Sequence, residues 1–147
     1  MTGIIEDPDW ADTLAAELRV SLMKAARRLR AQKSDAELSD AQYSVLAVID
    51  RQGPSTPRTL ATVERVQPPS MTKILAALSD RGLIHRATDP ADGRQVIVDL
   101  TPLGRDSVRE TRRRRNAWLA ERLAELSEDE RAVLASASQI LRRIAAS

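Results

Sequence analysis

Cysteine and phenylalanine are absent from this chain of 147 residues, and histidine occurs once, as His85. Without cysteine the chain cannot form disulfides, thiolate zinc sites or thiol redox sensors. A single histidine also excludes metal sites built from histidine pairs. The aromatic residues are Trp10, Tyr43 and Trp118. We interpret them as packing or dimer-contact residues, because single-strand binding needs stacking platforms that three dispersed rings do not supply.

Long apolar runs are also missing, since none approaches the roughly 20 residues of a membrane span. The first residues include Glu6, Asp7 and Asp9 and lack the basic-then-apolar pattern of a secretion signal. With 42% hydrophobic and 30% charged residues, the composition is typical of a folded globular domain. We therefore expect a cytoplasmic protein that binds no metal, carries no cofactor and contacts no membrane.

Positive charge is concentrated in the middle of the chain. Residues 54–115 carry 12 basic and 7 acidic side chains, whereas the net charge of the whole chain is only +2. Any surface that binds a polyanion is therefore expected in this middle segment.

Several helix starts can be read from local patterns. Apolar residues recur at three- and four-residue steps from about 8 to 32, which predicts an amphipathic helix. Ser39 with Gln42, and Ser127 with Glu130, have the spacing of capping boxes. Proline follows threonine at 57 and 102, which is typical of the first helical position.

The order of elements predicts a mainly α fold with a small β-hairpin wing. A short helix, a turn and a second helix are followed by two β-type runs, Ile84–Thr88 and Gln95–Leu100. We predict a winged helix-turn-helix lobe over 39–104. The flanking segments, 8–32 and 105–147, have apolar stripes that so small a lobe cannot bury, so we predict that they are dimerisation helices. The alternative is that these helices pack only on their own chain.

From about Ser39 to Gly104 the chain resembles the MarR family of dimeric winged-helix transcription regulators. The matching segments are Leu60-Ala61, Ser70–Leu75, Leu78–Ile84, the wing Asp89–Arg94, and Val96–Gly104. The resemblance implies that residues 1–147 form a single MarR-type unit. It also implies that the protein is a homodimer that binds double-stranded DNA and is not an enzyme. One departure is the turn Glu64–Gln67, where the general helix-turn-helix pattern favours a glycine.

The helix that begins at Pro68 is predicted to enter the major groove with its first turns near the base edges. Ser70, Thr72 and Lys73 are the polar side chains there. Lys73 can reach guanine O6 and N7, and the two hydroxyls can contact bases or phosphates. Alternatively, Ser70 and Thr72 only satisfy the start of the helix.

In the wing, Arg94 is predicted to enter the narrow minor groove, where the negative potential is strongest. Arg86 and Arg58 are candidate phosphate contacts. The resemblance implies that Asp89 and Asp92 brace the wing by pairing with nearby arginines and do not touch DNA. The alternative is a solvated tip without a DNA contact.

The run Arg112–Arg115 is the densest basic segment, but four consecutive helical residues span about 300° and cannot form one face. Arg115 alone lies on the apolar stripe of its helix. The family resemblance implies a cavity between the dimer helices and the lobe, in which Arg115 would anchor a small anionic or aromatic effector. An ordinary salt bridge between helices is the alternative.

An enzyme is rejected. Ser70–Lys73 matches the Ser-x-x-Lys motif of penicillin-recognising enzymes, but so does Ser21–Lys24, and the companion motifs are absent. We therefore predict a sequence-specific DNA-binding regulator that represses from an inverted-repeat operator and responds to a small ligand. The alternative is a winged-helix module that docks another protein instead of DNA.

Overall fold

The computed structural model describes residues 9–147. They form six helices and two strands, in the order α1 (Trp10–Arg30), α2 (Asp40–Gln52), α3 (Pro57–Glu64), α4 (Pro68–Asp80), β1 (Ile84–Thr88), β2 (Val96–Leu100), α5 (Pro102–Ala124) and α6 (Glu128–Ala146). This is the predicted fold class. The expected start of the first helix at residue 8 lies outside the described residues.

The chain divides into two compact units. One comprises residues 33–114 and is called the central lobe below. The other joins the segment up to residue 32 with 115–147, and its described part is called the terminal helices. Helix α5 contributes to both units. No helix among residues 9–147 is long and apolar enough to cross a membrane.

The predicted helix starts are confirmed by their hydrogen bonds. The Ser39 hydroxyl accepts a bond from the Gln42 N–H, and the Gln42 side chain accepts one from the Ser39 N–H. Ser127 and Glu130 make the same reciprocal pair at α6. These side chains satisfy N–H groups that the first turn of a helix leaves without a backbone partner.

The turn between α3 and α4 is made by a residue in the left-handed conformation. Arg65 has φ 54° and ψ 43°. Its N–H donates to the Thr62 carbonyl, and the N–H of Val66 donates to the Ala61 carbonyl at 3.0 Å. This pair of bonds is the Schellman motif, which ends a helix and turns the chain sharply.

Strands β1 and β2 form the predicted antiparallel hairpin, with Ile84 opposite Leu100 and Thr88 opposite Val96. Ser55 forms an isolated antiparallel β-bridge with Val98 of β2. Its N–H donates to the Val98 carbonyl at 3.0 Å, and the Val98 N–H donates to the Ser55 carbonyl at 2.8 Å. The base of the wing is therefore bonded on both sides.

The hydrophobic core of the described chain lies in the central lobe. Its fully buried side chains come from every element of the lobe, which gives the helix-turn-helix and the hairpin one common core. Its largest members are Leu38, Val45, Leu46, Val48, Ile49, Leu60, Met71, Leu75, Leu78, Val98 and Val108.

Helix α5 begins in direct contact with the chain just before β1. The Thr101 hydroxyl accepts a bond from the Gly104 N–H and donates to the Gly82 carbonyl at 2.6 Å. A Cβ atom at Gly104 would lie 2.0 Å from the Leu83 carbonyl oxygen. Glycine is therefore required at 104 because the backbone passes too close for any side chain.

The segment between α1 and α2 is fixed by polar contacts within the lobe. Ser34 bonds through its N–H and its hydroxyl to the buried Thr111 hydroxyl, at 3.1 and 3.0 Å. Asp35 forms an ion pair with Arg81, the C-cap residue that follows α4. The end of α4 is thus connected to the segment that leads into α2.

The terminal helices have no comparable core. None of the residues of α1 or α6 is buried. Large apolar side chains are instead exposed along these helices, among them Trp10, Leu14, Leu22, Met23, Val133, Ile140 and Ile144. Two cations lie near the ring of Trp118, with the Arg28 and Arg122 guanidinium carbons 5.7 and 4.0 Å from its centroid.

Candidate nucleic-acid interface

Helix α4 has one apolar face and one polar face. Met71, Leu75 and Leu78 are buried in the core of the lobe. The intervening residues of the first turns, Ser70, Thr72 and Lys73, are exposed. The buried face fixes the helix in the lobe, so its polar face is presented on a rigid element.

The first turn of α4 does not use its hydroxyls as caps. Gln67 occupies the N-cap position without a side-chain hydrogen bond, and two prolines follow it. The Thr72 hydroxyl donates to the Pro68 carbonyl at 3.0 Å. Thr72 therefore keeps its acceptor lone pairs for a donor outside the chain, such as a base amino group.

The wing is braced by its two aspartates, but the bonds go to backbone groups. Asp89 accepts from the Ala91 N–H at 2.9 Å, and Asp92 accepts from the Arg94 N–H at 3.1 Å. Neither carboxylate belongs to an ion pair in the part of the chain that the structure describes. The resemblance implied that these aspartates pair with arginines. Instead, each forms an Asx turn with the backbone, and these turns shape the tip.

The three arginines predicted to contact DNA all have exposed side chains. Arg94 is at the tip of the wing, Arg86 is on β1 and Arg58 is in the first turn of α3. They belong to the same unit as α4, the central lobe. Contact between these residues and DNA stays a prediction.

Three arginines of the basic run on α5 pair with two carboxylates of the chain. Arg112 pairs with Asp50 at 3.0 Å, and both Arg113 and Arg114 bond to Glu110. The hydrogen bonds from Arg113 and Arg114 lower the pKa of the Glu110 carboxyl to about 2. These arginines have carboxylate partners already, which supports the interpretation that the run is not a DNA-reading face.

The side chain of Arg115 is half-buried in α5, and its role as a ligand anchor stays a prediction.

A separate cleft of about 310 Å³ lies within the central lobe, lined by Ser34, Asp35, Arg81, Leu83, Leu103, Asp106, Ser107 and Glu110. Its lining has three carboxylates and one guanidinium, so it does not suit the anionic effector that the resemblance implies.

Sequence reasoning missed Asp35, whose ion pair with Arg81 fixes the end of α4. The two residues are 46 positions apart, and no local pattern connects them. It also missed Arg65, although the absence of glycine from the turn Glu64–Gln67 was visible in the sequence.

Comparison with known proteins identifies the family. The family model that matches is described as the MarR family and covers residues 38–96. An uncharacterised HTH-type transcriptional regulator of Mycobacterium bovis is 43% identical over 128 residues, which are 87% of this chain and 90% of that protein.

Solved structures agree with this assignment. A crystal structure of a Pseudomonas aeruginosa protein assigned as a transcriptional regulator is 35% identical, with a TM-score of 0.82 over 92% of this chain and 96% of that one. A mutant of MarR from E. coli is 27% identical, with a TM-score of 0.74 over 89% of this chain and 95% of that one. The chain belongs to the MarR family, and it is a DNA-binding transcriptional regulator with a winged helix-turn-helix fold.

Proposed function

We propose that the chain is a homodimeric repressor that binds an inverted-repeat operator in double-stranded DNA. The observation that carries the proposal is the pair of faces on α4. The buried face holds the helix in the lobe, and the opposite face offers Ser70, Thr72 and Lys73 to an external partner. A helix held in this way can enter a major groove without a change in the lobe.

In this proposal Lys73 donates to guanine O6 and N7, while Ser70 and Thr72 contact bases or phosphates. The acceptor lone pairs of Thr72 suit a base amino group, because its hydroxyl hydrogen is engaged with Pro68. Lys73 is exposed and carries a flexible stem, so it can adjust to the depth of the groove.

The wing supplies the second contact. Arg94 enters the minor groove beside the site read by α4, and its cation is attracted by the negative potential there. The Asx turns of Asp89 and Asp92 shape the tip that carries Arg94, and they occupy carboxylate oxygens with backbone donors. Arg86 and Arg58 contact phosphates and fix the register of the lobe on the duplex.

The terminal helices form the dimer. Ile144 and Val133 on α6 are 60% and 66% exposed, and Trp10 on α1 is 56% exposed. Exposed apolar stripes of this kind are typical of a protein interface. A second copy of the chain can bury these apolar stripes against its own, because a two-fold interface places the same surface patch on both subunits.

A two-fold dimer presents two copies of α4 to successive major grooves, about 34 Å apart. The operator is therefore an inverted repeat of about 20 base pairs, which follows from one helical turn between half-site centres. A dimer on such a site within a promoter excludes polymerase, and this is the basis of repression. A small anionic or aromatic ligand would release the dimer by favouring a lobe spacing that does not fit the repeat.

The test is selection of binding sites from a random duplex library, followed by fluorescence anisotropy over a range of salt concentrations. We expect an inverted repeat that binds far more tightly than random duplex. Arg94→Ala should weaken binding strongly and leave the thermal unfolding temperature unchanged, because Arg94 is exposed.

Glu128→Ala in α6 serves as a control for substitution of an exposed charged residue outside the lobe. Sequence-independent binding with a steep salt dependence would contradict the proposal, since it needs only phosphate attraction. In that case a winged-helix module that docks a protein becomes the better hypothesis.

A further inference from the structure

We propose that Arg65, in the turn between α3 and α4, is a phosphate contact that positions α4 on DNA. This inference rests on the proposed function of α4, and it adds a residue that the sequence analysis did not select. The backbone of the turn has a left-handed conformation, which is unfavourable for arginine.

Arg65 is the non-glycine residue with a positive φ in the described range 9–147. The left-handed conformation costs an L-residue with a Cβ atom roughly 1–2 kcal/mol, and glycine avoids this cost. The two other positive φ angles of that range belong to glycines, Gly53 at 84° and Gly82 at 70°. The chain thus uses glycine after α2 and α4, and an arginine after α3.

The conformation itself is required by the fold. The Schellman bonds from Arg65 and Val66 end α3, and Val66 then packs against the core of the lobe. They direct the chain into α4, which starts three residues after Arg65. Glycine would meet this backbone requirement at lower cost, so the requirement alone does not account for arginine.

The side chain of Arg65 has no structural task that the described residues reveal. It is exposed, and the ion pairs found between residues 9 and 147 do not include it. Strained residues that persist without a packing role are concentrated at functional sites. The backbone of Arg65 is strained and its charged side chain is exposed beside α4, which suits the binding of an external anion.

The position of the turn indicates which anion this is. When α4 lies in the major groove, the elements that precede it run along the phosphate backbone at the edge of the groove. Arg65 lies between α3, which carries Arg58, and the exposed first turn of α4. Its guanidinium group can bond two oxygens of one phosphate and so fix the angle at which α4 enters.

The test uses three variants that separate strain from charge. Arg65→Gly removes both the strain and the charge, Arg65→Asn removes the charge in a residue type that tolerates the left-handed region, and Arg65→Lys keeps both. We expect Arg65→Gly to raise the thermal unfolding temperature by a few degrees. We expect the same variant to weaken binding to the selected operator at least about fivefold.

Salt dependence gives the second measurement. Loss of one phosphate contact per protomer should reduce the slope of log K against log salt by about 1 per lobe in Arg65→Gly and Arg65→Asn. Arg65→Lys should keep the wild-type slope. Arg143→Asn on α6 is the matched control, because it removes the same charge from an exposed position outside the lobe.

An Arg65→Gly protein that is more stable and binds with the wild-type affinity and slope would overturn the inference. An equal loss of salt slope in Arg65→Lys and Arg65→Asn would overturn it too, since lysine keeps the positive charge on which the slope depends. Phosphate contacts do not depend on base sequence, so the slopes can also be measured on random duplex. A wild-type protein that selects no operator thus refutes the proposed function separately, and a wild-type protein that binds no duplex refutes both.

Discussion

The central lobe and the terminal helices differ in where their apolar side chains lie. The buried apolar residues of the described chain are all within 33–114. Helices α1 and α6 have amphipathic sequences but no buried residue. The lobe is therefore specified by contacts within one chain, whereas the terminal helices carry apolar faces for which the proposed dimer supplies the partner.

The largest effect is expected inside the lobe. Leu78→Ala removes a fully buried side chain from the common core of helices and hairpin. We expect it to lower the free energy of unfolding by about 2–5 kcal/mol, because it leaves a cavity that the neighbours cannot fill. Urea denaturation measures this loss.

Leu103→Ala is the matched control, since Leu103 is 58% exposed in the same lobe. It should change the free energy of unfolding by less than about 0.5 kcal/mol. A similar loss in both variants would mean that burial within a single chain does not describe the stability of the lobe.

Substitutions in the terminal helices should instead change the dimerisation of the protein. Ile144→Glu places a charge on the apolar stripe of α6, and we expect sedimentation to show a shift from dimer to monomer. The dimer dissociation constant should rise by about 100-fold or more, since a buried unpaired charge costs several kcal/mol. Gln139→Glu adds the same charge at another exposed position of α6, and a dimer lost equally in both variants would contradict the assignment of the stripe.

A smaller effect is expected at Gly104→Ala. The new Cβ atom would lie 2.0 Å from the Leu83 carbonyl oxygen, and a backbone atom cannot move aside as a flexible side chain can. We expect the free energy of unfolding to fall by about 1–3 kcal/mol. Gly93→Ala is the control, because nothing lies within 4 Å of the position of its new Cβ atom; equal unfolding temperatures for the two variants would show that the close approach is not rigid.

The smallest effect is expected from Glu110, whose side chain is 37% exposed. Its pKa is lowered from 4.5 to about 2 in the folded chain by the hydrogen bonds from Arg113 and Arg114. The carboxylate therefore stabilises the fold above pH 4.5, and this contribution is lost as the pH falls towards 2. The difference in unfolding temperature between the wild type and Glu110→Gln should shrink over that range, and a constant difference would contradict the lowered pKa.

The sequence predicts those features whose partners are close in the chain. Ser39 and Gln42 are three residues apart, and their capping box follows from spacing alone. The hairpin strands are predicted to within one residue, because they are β-rich runs around a polar turn. The family resemblance then supplies the order of helices and wing that local patterns leave open.

Contacts between distant residues could not be predicted. Asp50 and Arg112 are 62 positions apart, and nothing in the basic run shows that an aspartate of α2 neutralises part of it. The close approach of Gly104 to Leu83 likewise depends on how α5 meets the hairpin. For the candidate interface, residue types and exposure were predictable, whereas the strained backbone of Arg65 depends on the local fold.

The bridge between Ser55 and Val98 holds the base of the wing, and the tip extends from this bridge as the arm of a lever. Four residue steps separate Val98 from Arg94, which is at most about 13 Å at roughly 3.3 Å per residue of extended chain. A tilt of about 10° at the bridge would move the tip by up to about 2 Å, which is enough to break a hydrogen bond that needs about 3 Å between its atoms. Small changes at Ser55, far from the tip in sequence, would thus be magnified where the wing ends.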